Sequence, residues 1–276
     1  ALLGSSLSAI SGRCGGKMSQ FIDKLNRVSQ VGPQSMGFRA TSAARSKPKM
    51  LLIASLAQAD LNSLAGSVAG ADAGLLSVSE MDSGAGTIKK AIESASDIPW
   101  GVWLEDVGSG GVTEIVGAGC DFMVFPSVSS VMAIPEGDVA GRILELELSL
   151  GDGLLRAIDK LPLDAVLIGG EQKEGRSLTW QHLMYFQRCA DLVTKPLLAA
   201  ISANMTAAEL QALWVAGVGG LVVGVGAGQP AGRLMELRQA IDSLVFPLPS
   251  KRGKLAALVP SVGGRESTVT EEPEEE

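Results

Sequence analysis

"RILELELSL", residues 142–150, alternates without a break. Leu144, Leu146, Leu148 and Leu150 share one face of an extended chain; Ile143, Glu145, Glu147 and Ser149 share the other. Strand side chains point to opposite sides with a period of two. A layer of helices demands a continuous apolar face, so the leucines are expected to face helices and the acids the opposite side. If the sheet closes on itself, Glu145 and Glu147 project into its interior. A carboxylate there is costly unless it is paired, protonated or metal-bound. This makes both glutamates candidate catalytic residues. The competing reading is an irregular strand, or glutamates paired with a buried arginine to hold shape.

Working outward, the same apolar strand recurs along the chain: residues 50–56, 74–79, 100–105, 121–126, 142–150, 165–170, 196–202 and 220–226. Between these runs lie segments with apolar residues at helical spacing, such as "GTIKKAIESAS", "GGVTEIVGAG", "GDGLLRAIDKL", "TWQHLMYFQRCADLV" and "TAAELQALWVAG", and "AGRLMELRQAIDSL" follows the last. Eight βα units imply a parallel sheet with right-handed crossovers, and eight close into a (β/α)8 TIM barrel. An open doubly wound sheet is the alternative. The fourth helical segment, "SSVMAIPEGDVAG", is cut short by Pro135 and Gly137. The domain reading places a leader or added segment at 1–17, an N-terminal helix and loop at 18–48, the barrel at 49–246, and a tail at 247–276 with an acidic, disordered end. The helix "SQFIDKLNRVSQ" is expected to cap the barrel floor.

Composition narrows the function. The chain has 276 residues, 46% of them hydrophobic but only 4% aromatic, so its core is built from aliphatic side chains. Net charge is −7, of which five negatives belong to the terminal "EEPEEE". With no Lys/Arg run, a nucleic-acid partner is not expected. No apolar run reaches the roughly 18 residues a membrane span needs. Cys14, Cys120 and Cys189 are sparse and far apart, which suits reduced thiols and a cytoplasmic location.

The carboxyl ends of barrel strands carry the chemistry in this architecture, which ranks Glu147 and Ser149 ahead of Glu145. Ser55, Ser77 and Ser79 fall on the same inward side of their strands, and Ser202 and Asn204 end the seventh. Glu80, Asp82, Glu105, Asp106 and Glu171 follow strand ends. Glu147, Glu105 and Glu171 are the candidate ligands for a divalent cation, since hard cations take oxygen donors. Helix N-capping is the competing role for such acids, and fits Asp82 and Asp106 well. In "LVVGVGAGQPAGRL", Gly224, Gly226 and Gly228 clear side chains from a strand end that leads into a helix. Bare backbone N–H groups and a helix start suit an anion.

At this point the chain resembles the phosphate-binding (β/α)8 barrels, including the ribulose-phosphate-binding and FMN-binding groups. The stretch that carries the likeness is "KPLLAAISANMTAAELQALWVAGVGGLVVGVGAG", about the last third of the barrel. The resemblance implies a phosphate held by the loops after strands seven and eight, with Gly224, Gly226 and Gly228 seating it and Ser202 and Asn204 orienting the ligand. Where those barrels carry a Gly-Gly pair after strand seven, this chain has Ser202, Ala203 and Asn204. Arg176, with Lys173, lies in a long sixth loop and is a further candidate anion contact, as is Arg39 before the first strand.

Other chemistries lack their residues. No lysine falls inside a strand for imine formation, because Lys49 and Lys195 sit at strand starts. The single histidine, His182, lies within a helical segment, so neither a histidine-based zinc site nor a Ser–His–Asp triad is built. The expectation is an enzyme of lyase or isomerase type acting on a small phosphorylated or carboxylated metabolite, with Glu147 as general base or metal ligand. Mg²⁺ and FMN are the candidate cofactors. The alternative is a non-catalytic barrel serving as a binding or scaffold protein. Trp180, Tyr185 and Phe186 are candidates for a homo-oligomer surface, or else for the core.

Overall fold

A computed structural model describes residues 19–29, 49–56, 64–78, 81–104, 111–135, 139–169, 178–226 and 232–245. The chain divides into a unit ending at Val245 and a second, Phe246–Glu276, which lies outside the described residues. Eight strands run β1 (Leu51–Leu56), β2 (Ala73–Val78), β3 (Trp100–Leu104), β4 (Phe122–Pro126), β5 (Gly141–Leu146), β6 (Ala165–Ile168), β7 (Leu197–Ile201) and β8 (Gly220–Val225). Each pairs in parallel with the next, and β8 pairs back onto β1, so the sheet is a closed barrel. Leu51 lies opposite Gly220 and Ser55 opposite Gly224 across the closing seam.

The helices are α1 (Gln20–Ser29), α2 (Leu64–Ser67), α3 (Met81–Ser94), α4 (Val112–Gly117), α5 (Asp152–Ala157), α6 (Trp180–Leu192), α7 (Ala207–Val215) and α8 (Arg233–Ser243). Among the described residues, the β4–β5 connection holds only a 3-10 turn, Val131–Ala133, where Pro135 and Gly137 interrupt the pattern. Helix starts are secured by side chains. Thr206 and Glu209 form a capping box on α7, with the Thr206 N–H and hydroxyl both donating to Glu209 Oε2 at 2.8 Å. Glu209 Oε1 also accepts from the Leu178 N–H at 3.1 Å, tying the approach to α6 to the start of α7.

Strand alternation sorts the core into two shells. Leu52, Ala54, Leu76, Val102, Met123, Leu146, Val166, Ala199 and Val223 pack outward under the helices. Leu51, Ile53, Leu75, Phe122, Val124, Ile143, Leu167, Leu198 and Val222 fill the interior. The lower interior is closed by α1, whose Phe21, Ile22, Leu25 and Val28 join that inner cluster. The Phe21 ring stacks on Phe122 with centroids 4.3 Å apart. Asp121, just before β4, accepts from the Gln20 and Phe21 N–H groups at 2.9 Å and from the Ser19 hydroxyl at 2.8 Å, so it caps α1 from below the barrel. Asp72 and Asp164, just before β2 and β6, accept from the Leu52 and Arg142 N–H groups in the same way.

Candidate functional site

Helix α1 closes the end of the barrel where the strands begin, so the candidate site belongs to the end where they finish. On β5 the inward parity read from the sequence holds as far as the strand does. Ile143 sits in the inner core, Leu146 in the outer one, and Leu144 packs against the outer one. Glu145 therefore enters the lumen. The Trp103 indole Nε1–H donates to its Oε2 at 3.0 Å. Trp103 comes from the inward side of β3, with its ring packed on the inner apolar cluster. On the far side, a Cβ added to Gly169 would overlap Glu145 Oε1, so the carboxyl lies directly on backbone at the end of β6. Burial raises the Glu145 pKa above the ordinary carboxyl value. The Trp103 hydrogen bond offsets part of this, and the charge of Glu147 raises it again.

Glu147 corrects the sequence reading. β5 ends at Leu146, and residues 147–150 form a turn in which the Leu150 N–H donates to Glu147 O at 3.4 Å. The Tyr185 hydroxyl, from α6, donates to the same carbonyl at 2.6 Å and fixes the bend. The Glu147 carboxylate thus lies exposed at the rim, accepting from the Ser149 hydroxyl at 3.3 Å, rather than inside the barrel. Leu148 is partly exposed instead of lying under a helix. Tyr185 and Phe186 belong to the core, whereas Trp180 is 81% exposed.

Around the rim, Ser55 and Ser77 are half-buried on the inward sides of β1 and β2. Ser202 is half-buried just past β7, and its hydroxyl accepts from the N–H of exposed Asn204 at 3.4 Å. Gly224 and Gly226 are exposed, and a Cβ at either would meet nothing within 4 Å. Gly232, with φ +94°, leads into α8. Arg233 donates from Nε to Ala203 O at 2.8 Å and from Nη2 to Met205 O at 3.2 Å, pinning the β7–α7 loop to the start of α8. Gly228, Arg176, Glu105 and Glu171 lie outside the described residues, as do Ser79, Glu80, Asp106, Lys173 and Arg39. Among the described residues no group of three or more His, Cys, Asp or Glu is placed to hold a metal ion. His182 is structural: its Nδ1 accepts from the Thr179 N–H at 3.3 Å in the capping box of α6. Lys49 and Lys195 donate to the carbonyls of Asp242 and Leu163 and stay away from the rim.

Two members of this site were not singled out in the sequence, Trp103 and Gly169. An aromatic residue on the inward parity of β3 was the available signal for the first. The "GG" that ends the sixth strand was the signal for the second.

Together these features define a TIM barrel with a carboxyl-bearing, glycine-edged mouth. Among solved structures it is similar to the orotidine 5'-phosphate decarboxylase of Pyrococcus horikoshii, at 15% identity and a TM-score of 0.53, over 69% of this chain and 100% of that one. A mutant tryptophan synthase alpha-subunit from Pyrococcus furiosus matches at 14% identity and a TM-score of 0.52, over 70% and 97%. Tryptophan synthase from M. tuberculosis, in its aminoacrylate-bound form, matches at 15% and 0.53, over 79% and 98%. At such identities the likeness is one of fold, the fold on which these barrel enzymes are built. No family profile and no curated protein matches the chain. Among the described residues, no helix is long and apolar enough to cross a membrane.

Proposed function

We propose that this barrel is an enzyme of lyase or isomerase type that moves a proton on a small phosphorylated or carboxylated metabolite. The observation that carries the reading is Glu145, a carboxyl group held inside the lumen by one indole N–H and laid against the backbone of Gly169. Among the described residues this acid has no cationic partner, so its burial adds nothing to stability, whereas a general acid–base needs its pKa brought toward neutrality. Gly224 and Gly226 supply uncrowded backbone for the anionic end of the ligand, and Ser55, Ser77 and Ser202 supply hydroxyls. The neighbours named above support the reading, since one is named for a phosphate ester and both kinds are enzymes. In this scheme Glu147, at the rim, raises the Glu145 pKa through its charge. Mg²⁺ and FMN are the proposed cofactors, Glu105 and Glu171 the proposed metal ligands with Glu147, and Arg176 and Gly228 further anion contacts. The proposed setting is the cytoplasm.

The test is calorimetric titration of the protein with inorganic phosphate, glycerol phosphate, FMN and Mg²⁺, followed by turnover assays on sugar phosphates. Binding of a phosphate ester, with turnover that falls at least about a hundredfold in Glu145→Gln, is the expected result. Normal turnover in that variant overturns the role given to Glu145. The scaffold reading is favoured instead if no phosphate, flavin or divalent ion binds at all.

A further inference from the structure

The eight strands carry two charged side chains, Glu145 and Arg142. Arg142 has the opposite parity, alongside Leu144 and Leu146, and stands at the start of β5, where its own N–H binds Asp164. On the eight strands, then, no lysine, arginine or histidine faces the lumen to balance Glu145. The neighbouring charge that acts on it is Glu147, and it is negative. Trp103 occupies one carboxyl oxygen, Oε2, as a neutral donor. The other oxygen, Oε1, is packed against Gly169, in the space a side chain there would fill, and has no hydrogen-bond donor among the described residues. The Trp103 ring, packed on the inner apolar layer, stands beside the same carboxyl. A half-buried carboxyl with no cationic partner among the described residues suits an ammonium group, which gains a charge-assisted hydrogen bond from the acid.

From this arrangement we infer that the ligand brings its own cation: an amino group that binds the Glu145 carboxyl beside Trp103. The substrate class becomes an amino-bearing phosphorylated or carboxylated metabolite, with its anionic end toward Gly224 and Gly226 and its ammonium toward Glu145. This inference rests on the mouth being the substrate site. It deepens the proposed function by specifying the end of the molecule that the carboxyl recognises.

The test uses four probes, the esters O-phosphoethanolamine and glycerol phosphate and their fragments ethanolamine and inorganic phosphate, each titrated into the full-length protein by calorimetry. O-phosphoethanolamine is expected to bind about tenfold or more tighter than glycerol phosphate, the ratio one charge-assisted hydrogen bond supplies. Glu145→Gln is expected to erase that ratio, chiefly by weakening O-phosphoethanolamine. Trp103→Phe keeps a ring and loses the N–H donor, and is expected to retain most of the preference. Equal binding of the two esters, or a preference that survives Glu145→Gln, overturns the ammonium inference and leaves the anion reading standing. Binding of ethanolamine with no response to any phosphate does the reverse. Silence from all four probes overturns both.

Discussion

At the scale of single residues, Glu145 has the clearest energetic signature. Burial and the nearby Glu147 hold its proton more tightly in the folded chain than in the unfolded one, against the partial relief from Trp103. A carboxyl with a raised folded pKa contributes its stability in full below the ordinary carboxyl value, and loses that contribution as pH rises through the folded value. Replacing Glu145 with Gln removes the loss. The urea midpoint of Glu145→Gln is therefore expected to move up relative to the parent as pH goes from about 4 to about 8. A gap between the two proteins that stays constant over that range contradicts the assignment of a desolvated, unpaired carboxyl. Gly169→Ala tests the same contact from the other side. The new methyl group overlaps Oε1, the far end of a flexible side chain, so the carboxyl is expected to swing aside at less than the roughly 1–3 kcal/mol of overpacking a rigid core. Urea denaturation and Trp103 fluorescence read the outcome: an emission spectrum unchanged from the parent means that Glu145 does not rest on Gly169.

At the scale of elements, sealing and capping carry testable weight. Phe21 fills the lower lumen against Phe122, and Phe21→Ala leaves a cavity expected to cost about 3–5 kcal/mol in denaturation experiments. A cost under about 1 kcal/mol means that α1 does not seal the floor. Thr206→Ala removes the hydroxyl that the Glu209 N–H donates to, and is expected to lower stability by about 1 kcal/mol. The elements were legible in the sequence to different depths for physical reasons. Leucine periodicity fixed the outward face of β5, because a helix layer accepts only apolar side chains, and Pro135 and Gly137 foretold the lost helix after β4. The end of β5 was hidden, because "ELSL" keeps alternating after the chain has already turned at Glu147. That turn is held by Tyr185, 38 residues away, and so leaves no local trace. The partnership of Trp103 with Glu145 was hidden for the same reason: it needs the registers of β3, β4 and β5 together. The candidate ligands in the connecting loops, Glu105, Glu171, Arg176 and Gly228, could be picked by residue type alone, and their spacing carries no geometry.

At the scale of the whole molecule, closure of the sheet sets the cooperativity. A barrel has no free edge from which to fray, and β1·β8 pairing joins the first described strand to the last. Its two described cysteines report on this. Cys120 is buried at the entry to β4, with its thiol donating to Phe122 O at 3.0 Å and its pKa pushed up to about 12, chiefly by burial. Cys189 is buried on the inner face of α6, where burial again raises the thiol. Only a thiolate reacts quickly with a disulfide reagent, so both groups should be inert until the structure opens. In a Cys14→Ser background, labelling in native buffer is expected to run at least about a thousandfold slower than in urea, given a typical domain stability. If strand and helix open together, the labelling rates of Cys120 and Cys189 rise with urea along the same slope, and that slope equals the one for global unfolding. If Cys189 instead labels at a rate indifferent to urea while Cys120 stays protected, the helix layer opens locally without breaking the barrel. The stability effects predicted for Thr206→Ala and Phe21→Ala would then have to be read as belonging to separate units.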